Sequence, residues 1–205
     1  MTGASGPLFI VFEGIDGSGK STQADMLYDH FLAENRPAVR LFEPTQGEWG
    51  RKIRSMLSGD EAPDAVEQLR LFIRDREDDV RKNVRPALDA GKIIIMDRYY
   101  YSNAAYQGAA GIDPFEIIKE NIEMGFPGPD RVYLIDIEPE TALERIERRN
   151  GSVKRDLFER QHFLAEVRDI YNSIADESFV TIDGTLPADR IFSCVLNDVA
   201  ENFHL

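Results

Sequence analysis

The stretch Gly14-Ile15-Asp16-Gly17-Ser18-Gly19-Lys20-Ser21 decides the fold, because it fits the phosphate-binding pattern G-x-x-x-x-G-K-[ST]. That motif needs a strand before it and a helix after it, and the apolar run Leu8–Glu13 and the helix-like stretch Ser21–Glu34 meet both conditions. In such a loop, backbone N–H groups and the helix amino terminus converge on an anion, the lysine reaches the β- and γ-phosphates, and the serine hydroxyl ligates Mg²⁺. The sequence therefore predicts a nucleotide-phosphate site made of Gly14, Asp16, Gly17, Ser18, Gly19, Lys20, Ser21 and Thr22.

Strand-like and helix-like segments alternate along the rest of the chain. Near-continuous apolar runs are typical of parallel strands that helices cover on both faces. The predicted strands are Leu8–Glu13, Val39–Phe42, Ile93–Met96, Val132–Ile137 and Phe179–Ile182. The predicted helices are Ser21–Glu34, Gly50–Ser58, Ala65–Ala90, Pro114–Met124, Pro139–Arg149, Leu157–Asp176 and Pro187–Phe203. This order predicts a single α/β domain over residues 1–205, with three α/β/α layers, a five-stranded parallel sheet and a flexible segment at residues 1–6.

Composition limits the classes of function. The chain has 205 residues, 42% of them hydrophobic and 30% charged, which is typical of a soluble globular protein. Its net charge of −13 argues against sequence-independent binding to nucleic acid or an anionic membrane. The single cysteine, Cys194, excludes a disulfide framework and indicates a reducing, cytoplasmic compartment. An acidic chain that binds phosphates must concentrate its positive charge in one cleft.

A second site follows the strand Ile93–Met96, which continues into Asp97, Arg98 and Tyr99. In an open α/β sheet, ligands bind outside the carboxyl ends of the strands, beside the phosphate-binding loop. Asp97 is then placed to hold a metal ion or its waters, and Arg98 to bind a phosphate; the alternative is a solvated strand end. The chain lacks the Asn-Lys dipeptide of a guanine-reading GTPase motif, which argues against a regulatory GTPase.

The chain resembles the thymidylate kinase family of P-loop nucleoside monophosphate kinases. The resemblance rests on GIDGSGKSTQ at 14–23, FEPTQGEWG at 42–50, LFIRDR at 71–76, DRYYYSNAAYQG at 97–108, PDRVYLIDIEPETALERIERR at 129–149 and TIDG at 181–184. These segments follow the family's order over nearly the whole chain. The resemblance implies a cytoplasmic homodimer that uses ATP and Mg²⁺ to convert dTMP to dTDP for dTTP synthesis, with small molecules rather than nucleic acid or membrane as partners.

The resemblance also implies an acceptor site. Phe72 matches the residue that stacks on thymine and Arg76 the residue that hydrogen-bonds the base, although Phe72 would also suit an ordinary helix core. Positions four apart share a helix face, so the two side chains can meet one ligand. Arg98 matches the arginine that binds the acceptor phosphate, and Tyr106 the residue that packs under the sugar where a 2′-hydroxyl would clash. The implied acceptor residues are Asp16, Phe72, Arg76, Arg98, Ser102, Asn103, Tyr106 and Gln107.

A short lid at about residues 145–156 is implied as well. Arg145 matches the arginine that stacks on adenine, near the adenine-contacting segment at Asp183 and Gly184. The basic residues Arg148, Arg149, Lys154 and Arg155 match the lid that reaches over the transferring phosphoryl group. The implied catalytic residues are Lys20, Asp97, Arg98, Arg149 and Arg155, and the implied metal-binding residues are Ser21 and Asp97.

The chain departs from the family at two places. Some relatives have an arginine inside the phosphate-binding loop where this chain has Gly17. Many have an arginine beside Glu43-Pro44, where this chain has Phe42 and Thr45; Arg40 and Arg51 are candidate substitutes, and Pro44 is expected to be cis. Three other functions therefore stay open: a kinase for another nucleoside monophosphate, a weakly active enzyme, and a non-enzymatic nucleotide switch, against which the 97–108 string argues.

Overall fold

The sheet places the carboxyl ends of its central strands side by side. The computed structural model describes residues 6–59, 63–150 and 157–203, and the residues that follow belong to these ranges. The strands are β1 (Leu8–Glu13), β2 (Ala38–Phe42), β3 (Ile93–Asp97), β4 (Arg131–Asp136) and β5 (Phe179–Asp183). They lie in the order β2-β3-β1-β4-β5, and every pair is parallel. Phe12 of β1 is in register with Asp97 of β3, so the phosphate-binding loop and the second site begin at the same edge.

Helices cover both faces of the sheet. They are α1 (Lys20–Ala33), α2 (Glu48–Leu57), α3 (Ala65–Asp79), α4 (Arg85–Asp89), α5 (Tyr100–Ala109), α6 (Pro114–Glu123), α7 (Pro139–Asn150), α8 (Leu157–Ile174) and α9 (Ala188–Phe203), with a π-helical segment at Val80–Val84. The predicted three-layer α/β/α fold with a five-stranded parallel sheet is confirmed. None of the helices within the described ranges has the length and apolar character needed to cross a bilayer.

The two cores explain why the strands are almost continuously apolar. Phe9 and Val11 of β1 pack on one face with residues of α3, α5, α6 and α8. Leu8, Ile10 and Phe12 pack on the other face with residues of α1 and α9. Successive side chains of a strand point to opposite faces, so burial of both faces requires apolar residues at every position.

Two predicted elements differ from the structure. The stretch Ala65–Ala90 was expected as one helix, but it divides into α3, the π-helical segment and α4. Pro86 is the physical reason, because it has no N–H to donate and its ring excludes the carbonyl four residues earlier. The helix α5 is not among the predicted helices, because most residues of Tyr100–Ala109 are buried and the segment therefore lacks the polar face of an amphipathic helix. Leu69 of α3 and Val80 of the π-helical segment lie in the core.

Candidate active site

One cavity of about 1240 Å³ opens at the carboxyl edge of the sheet. The phosphate-binding loop and the second site both line it. Its wall includes Asp16, Gly17, Ser18, Gly19, Lys20, Ser21, Thr22, Phe72, Arg76, Asp97, Arg98, Ser102, Asn103, Tyr106, Gln107, Arg145 and Arg149. Nearly all the predicted site residues therefore meet in one space, although they come from segments far apart in the chain. Gly14 instead lies buried below the loop, where a Cβ atom would come within 2.6 Å of the Ile135 carbonyl oxygen.

The phosphate-binding loop connects β1 to α1 through backbone conformations and close contacts that only glycine allows. Gly17 has φ +87°, and a Cβ there would lie 2.5 Å from the Ala142 carbonyl oxygen of α7. Lys20 is buried at the first turn of α1, with Nζ 3.3 Å from the Ile15 carbonyl oxygen and 3.7 Å from Asp16 Oδ1. Burial and the charge of Arg98 lower the pKa of Lys20 to about 8, against the opposing effect of nearby carboxylates. The lysine is therefore shielded from solvent, and a second cation, Arg98, lies close enough to disfavour its charged form.

Arg98 links the second site to the phosphate-binding loop. Its backbone is left-handed, with φ +69°, a conformation that costs an L-residue energy and is held here by surrounding contacts. The backbone N–H of Arg98 donates to the Phe12 carbonyl oxygen at 3.0 Å. The guanidinium donates to Asp16 Oδ1 at 2.5 Å, Ser102 Oγ at 3.0 Å and Tyr106 OH at 3.3 Å. This positive neighbour lowers the pKa of Asp16 to about 2.

Within the described residues, one carboxylate oxygen of Asp97 accepts a hydrogen bond and the other does not. Oδ2 accepts from Arg40 Nη2 at 3.4 Å, whereas Oδ1 is buried and accepts no hydrogen bond from the described part of the chain. Ser21 lines the same cavity. No group of three or more His, Cys, Asp or Glu side chains in the described ranges is arranged to hold a metal ion. Ser21 and Asp97 bring a hydroxyl and a carboxylate to the cavity wall, and oxygen ligands of this kind suit Mg²⁺, which keeps waters and phosphate oxygens as its other ligands.

Arg76 is the most deeply enclosed charge of the site. The side chain of Arg76 is 1% exposed, and it donates to Glu43 Oε2 through Nε at 3.0 Å and through Nη2 at 2.5 Å. Its other hydrogen bonds reach Asn103 Oδ1 at 2.6 Å and Asn121 Oδ1 at 2.8 Å. Asn103 in turn donates to Gln107 Oε1 at 3.0 Å. Four of the five guanidinium donors are thus fixed from below, and Arg76 forms part of the cavity wall. The sequence reasoning missed Glu43 and Asn121.

The turn after β2 contributes an arginine that the sequence did not indicate. The Glu43–Pro44 bond is cis, as the resemblance implied. Arg54, on α2, lines the cavity and donates to the Pro44 carbonyl oxygen at 2.9 Å. Arg40 also lines the cavity, held by Asp97 and by Asp25 Oδ1 at 2.9 Å. Within the described residues, Arg51 lies outside the cavity wall, and its Nη1 donates to the Gln46 carbonyl oxygen.

The opposite end of the cavity lies against α7. Arg145 donates to the Ser18 carbonyl oxygen at 3.2 Å and to the Gly184 carbonyl oxygen at 2.8 Å. Arg149 lines the cavity, whereas Arg148 is 81% exposed and pairs with Glu144 at 3.6 Å. The remaining lid residues, Lys154 and Arg155, lie outside the described residues, as do positions 1–5 of the expected flexible segment. Positive charge therefore does collect around this cavity in an acidic chain.

Phe163, on α8, is a further wall residue that motif reading missed. Its ring lies edge-on to Tyr106, with the centroids 6.2 Å apart. In the sequence, Phe163 lies near the start of a predicted helix that follows the basic loop. This position alone does not indicate that its side chain reaches the cavity. Glu13, the polar end of the otherwise apolar strand β1, was also missed, and its position after a buried run was a usable signal.

The comparisons agree with this geometry. The model of the thymidylate kinase family matches residues 12–194. A thymidylate kinase of Leptospira borgpetersenii is 38% identical over 198 residues, which are 97% of this chain and 96% of the relative. A thymidylate kinase of Brachyspira hyodysenteriae is 41% identical over 94% of this chain and 93% of the relative. A probable thymidylate kinase of Archaeoglobus fulgidus is 40% identical over 90% of each chain. The chain therefore belongs to the thymidylate kinase family.

Proposed function

We propose that this protein transfers the γ-phosphoryl group of ATP to the 5′-phosphate of dTMP, giving dTDP and ADP, with Mg²⁺ as cofactor. One observation carries the proposal: a single cavity of about 1240 Å³ is lined both by the phosphate-binding loop and by Phe72, Arg76 and Tyr106. Typical pockets for one small ligand measure about 300 to 1,000 Å³, so this cavity suits two nucleotides meeting at their phosphates.

On the donor side, Lys20 and the loop N–H groups bind the β- and γ-phosphates of ATP, and Arg145 lies against the adenine. Ser21 and Asp97 are the residues that would hold Mg²⁺, and the unpartnered Asp97 Oδ1 supports this assignment. When bound, the ion would neutralise charge on the β- and γ-phosphates. Arg40 holds Asp97 Oδ2, which leaves Oδ1 without a hydrogen-bond donor from the described residues.

On the acceptor side, Arg98 binds and aligns the 5′-phosphate of dTMP. Phosphoryl transfer asks for positioning and charge neutralisation rather than covalent help from the protein. The acceptor phosphate is already ionised, so no strong general base is required. Arg149, which lines the cavity and acts electrostatically on Asp16, supplies charge above the reacting phosphates, and Arg155 is the second lid candidate.

Base and sugar are recognised by residues of α3 and α5 that line the same cavity. Phe72 stacks on the base, Arg76 donates to it, and Gln107 closes the pocket. The Tyr106 ring lies beside Arg98, with the guanidinium carbon 5.0 Å from the ring centroid, so it packs under the sugar next to the phosphate. Arg54 takes the place of the arginine that many relatives carry beside Glu-Pro, because it brings a positive charge to the same turn.

A coupled ADP-release assay across dTMP, dUMP, dCMP, dAMP and dGMP tests the proposal. We expect dTMP to have the highest kcat/KM and ADP release to require both an acceptor and Mg²⁺. A higher kcat/KM for another acceptor would instead assign a different nucleoside monophosphate kinase. Tight ATP binding without acceptor-stimulated ADP release would favour the nucleotide switch. A Lys20→Ala preparation purified in parallel reports any contaminating kinase.

We further propose that the 205 residues act as one domain and as a cytoplasmic homodimer. The family match over residues 12–194 supports one unit, and the single, exposed Cys194 supports a reducing compartment. On α6, Phe115 and Ile122 are 58% and 60% exposed and lie two turns apart, so they form an apolar stripe suited to a second copy. Light scattering should give twice the chain mass, and Ile122→Glu should shift the protein toward the monomer.

A further inference from the structure

Glu13 is a fully buried carboxylate to which the proposed chemistry assigns no role. It ends β1, directly before Gly14 of the phosphate-binding loop, and is 0% exposed. Burying a charge is costly unless hydrogen bonds compensate it. Four donors do so here: Tyr99 N at 2.8 Å and Ser102 N at 3.2 Å on Oε1, and Ser102 Oγ at 2.6 Å and Tyr171 OH at 2.8 Å on Oε2. Such a complete set of donors indicates a fixed position.

The two backbone contacts cap the helix α5. The first turn of a helix leaves N–H groups without intrahelical partners, and a side-chain oxygen close in sequence usually accepts from one of them. Tyr99 is the N-cap residue of α5 and provides no side-chain cap, whereas Glu13 Oε1 accepts from the N–H of Tyr99. It also shares the N–H of Ser102, the third helical residue, with the Tyr99 carbonyl oxygen, which lies 3.0 Å from that nitrogen. The cap of α5 therefore comes from the neighbouring strand, so the start of this helix is fixed relative to the phosphate-binding loop.

The hydroxyl contact orients Ser102 toward Arg98. The Arg98 guanidinium can only donate, so Ser102 Oγ must accept from Nη1 across their 3.0 Å contact. A hydroxyl has one proton, and Ser102 Oγ lies 2.6 Å from Glu13 Oε2 but 3.0 Å from Tyr171 OH, so the shorter contact, to a carboxylate, indicates where that proton points. The carboxylate thus turns the lone pairs of Ser102 toward the guanidinium. Arg98 has a left-handed backbone, a conformation that persists only where surrounding contacts hold the residue, and this hydrogen bond is one of those contacts.

We propose that Glu13 is a positioning residue: through Ser102 and the first turn of α5, it holds Arg98 in the orientation that aligns the acceptor phosphate with the phosphate-binding loop. This inference rests on the proposed function. Glu13 and the phosphate-binding loop belong to one continuous segment. The end of β1 therefore fixes the position of Arg98, which binds the acceptor, as well as that of the loop, which binds the donor phosphates. The expected consequence is a selective acceptor defect when the carboxylate is lost, with ATP binding preserved.

Glu13→Gln removes the charge while keeping the side-chain shape. We expect kcat/KM for dTMP to fall at least about tenfold and the dissociation constant of dTMP, measured by calorimetry, to rise, with the KM for ATP changed less than about threefold. Glu67→Gln, at an exposed position of α3, is the matched control and should behave as wild type. An unchanged dTMP constant and unchanged kcat/KM in folded Glu13→Gln would overturn the inference.

The Arg98→Ala background separates positioning from general stability. If Glu13 acts through Arg98, Glu13→Gln should reduce kcat/KM less than about twofold further in that background. An equal loss in both backgrounds would mean a purely structural role and overturn the inference. Should Glu13→Gln fail to fold, Ser102→Ala breaks the same connection, and its unchanged dTMP binding would be equally decisive. A wild-type chain inactive on dTMP would refute the proposed function itself, whereas an active chain with silent variants refutes only the positioning role.

Discussion

Arg98 Nη2 lies 2.5 Å from Asp16 Oδ1, so the arginine of the second site is ion-paired with the acid of the phosphate-binding loop 82 residues earlier in the chain. The pair joins the phosphate-binding loop to the residues that follow β3 across one cavity. Asp16 is 60% exposed at its side chain, while the Arg98 side chain is only 17% exposed. The exposed acid is therefore free to leave the pair, and under the proposed function an acceptor phosphate would take its place on Arg98.

Arg98→Ala should lower turnover of dTMP by at least about 100-fold, which corresponds to roughly 2.7 kcal/mol of transition-state stabilisation. Arg98→Lys should recover only part of the rate, because lysine keeps the charge but lacks the planar fork that bridges two oxygens. Steady-state kinetics with saturating ATP measures both effects. A near-normal rate for Arg98→Ala would contradict the role assigned to this residue.

The lowered pKa of Lys20, about 8, should appear in the pH profile of the free enzyme. Because kcat/KM reports free-enzyme ionisations, kcat/KM for ATP should decline as pH rises through about 8, where the ammonium loses its proton. The profile of kcat should decline later, since bound phosphates favour the charged amine. Lys20→Arg, though slower, should lose this alkaline limb. Parallel profiles for kcat and kcat/KM would speak against Lys20 as the titrating group.

Arg54→Ala should raise the KM for dTMP about tenfold or more, because it removes the positive charge that this chain brings to the Glu43–Pro44 turn. Arg51→Ala is the matched control, since Arg51 lies on the same helix but outside the described cavity wall. Initial rates over a range of dTMP concentrations distinguish the two variants. Equal effects of both substitutions would show that the turn does not use Arg54 specifically.

Arg76→Ala should cost stability as well as binding. Removing one partner of a buried pair leaves the other charge uncompensated, which typically costs about 3 to 5 kcal/mol. The double variant Arg76→Met/Glu43→Leu should regain much of the lost free energy of unfolding, measured in urea, because it also removes the buried carboxylate. Arg70→Ala, at an exposed position of α3, serves as control. If Arg76→Ala were no less stable than that control, the Arg76–Glu43 pair would carry little of the fold's stability.

Asp79→Asn should stabilise the protein at neutral pH. Burial raises the pKa of Asp79 to about 6, and its Oδ2 accepts no hydrogen bond from the described residues. A raised folded-state pKa means that the charged form is disfavoured on folding, so wild type loses stability as pH rises from about 4 to 6. The variant should be more stable by on the order of 2 to 3 kcal/mol above pH 6 and equal to wild type below about 4. Asp89→Asn, which is exposed, should show no such difference in thermal unfolding.

The sequence was informative wherever local chemistry is self-contained. The phosphate-binding loop from Gly14 to Ser21 needs its glycines and lysine at fixed spacing, so it could be recognised with its flanking strand and helix. The apolar strands identified the parallel sheet for a related reason, since the central strands are buried on both faces and therefore have few polar positions. Pattern reading failed at Ala65–Ala90, where Pro86 interrupts an otherwise continuous helical pattern and the chain responds with a π-helical segment.

Contacts between distant segments were beyond the sequence. It indicated that Lys20, Arg76 and Arg98 would share a cleft, because phosphates require positive charge in an acidic chain. It could not indicate that Glu13 caps α5 and orients Ser102, or that Glu43 neutralises Arg76, since each carboxylate acts on residues tens of positions away. Sequence patterns encode which groups a site contains. Only packing decides which of them face one another, because a hydrogen bond forms only when donor and acceptor are placed to within a few tenths of an ångström.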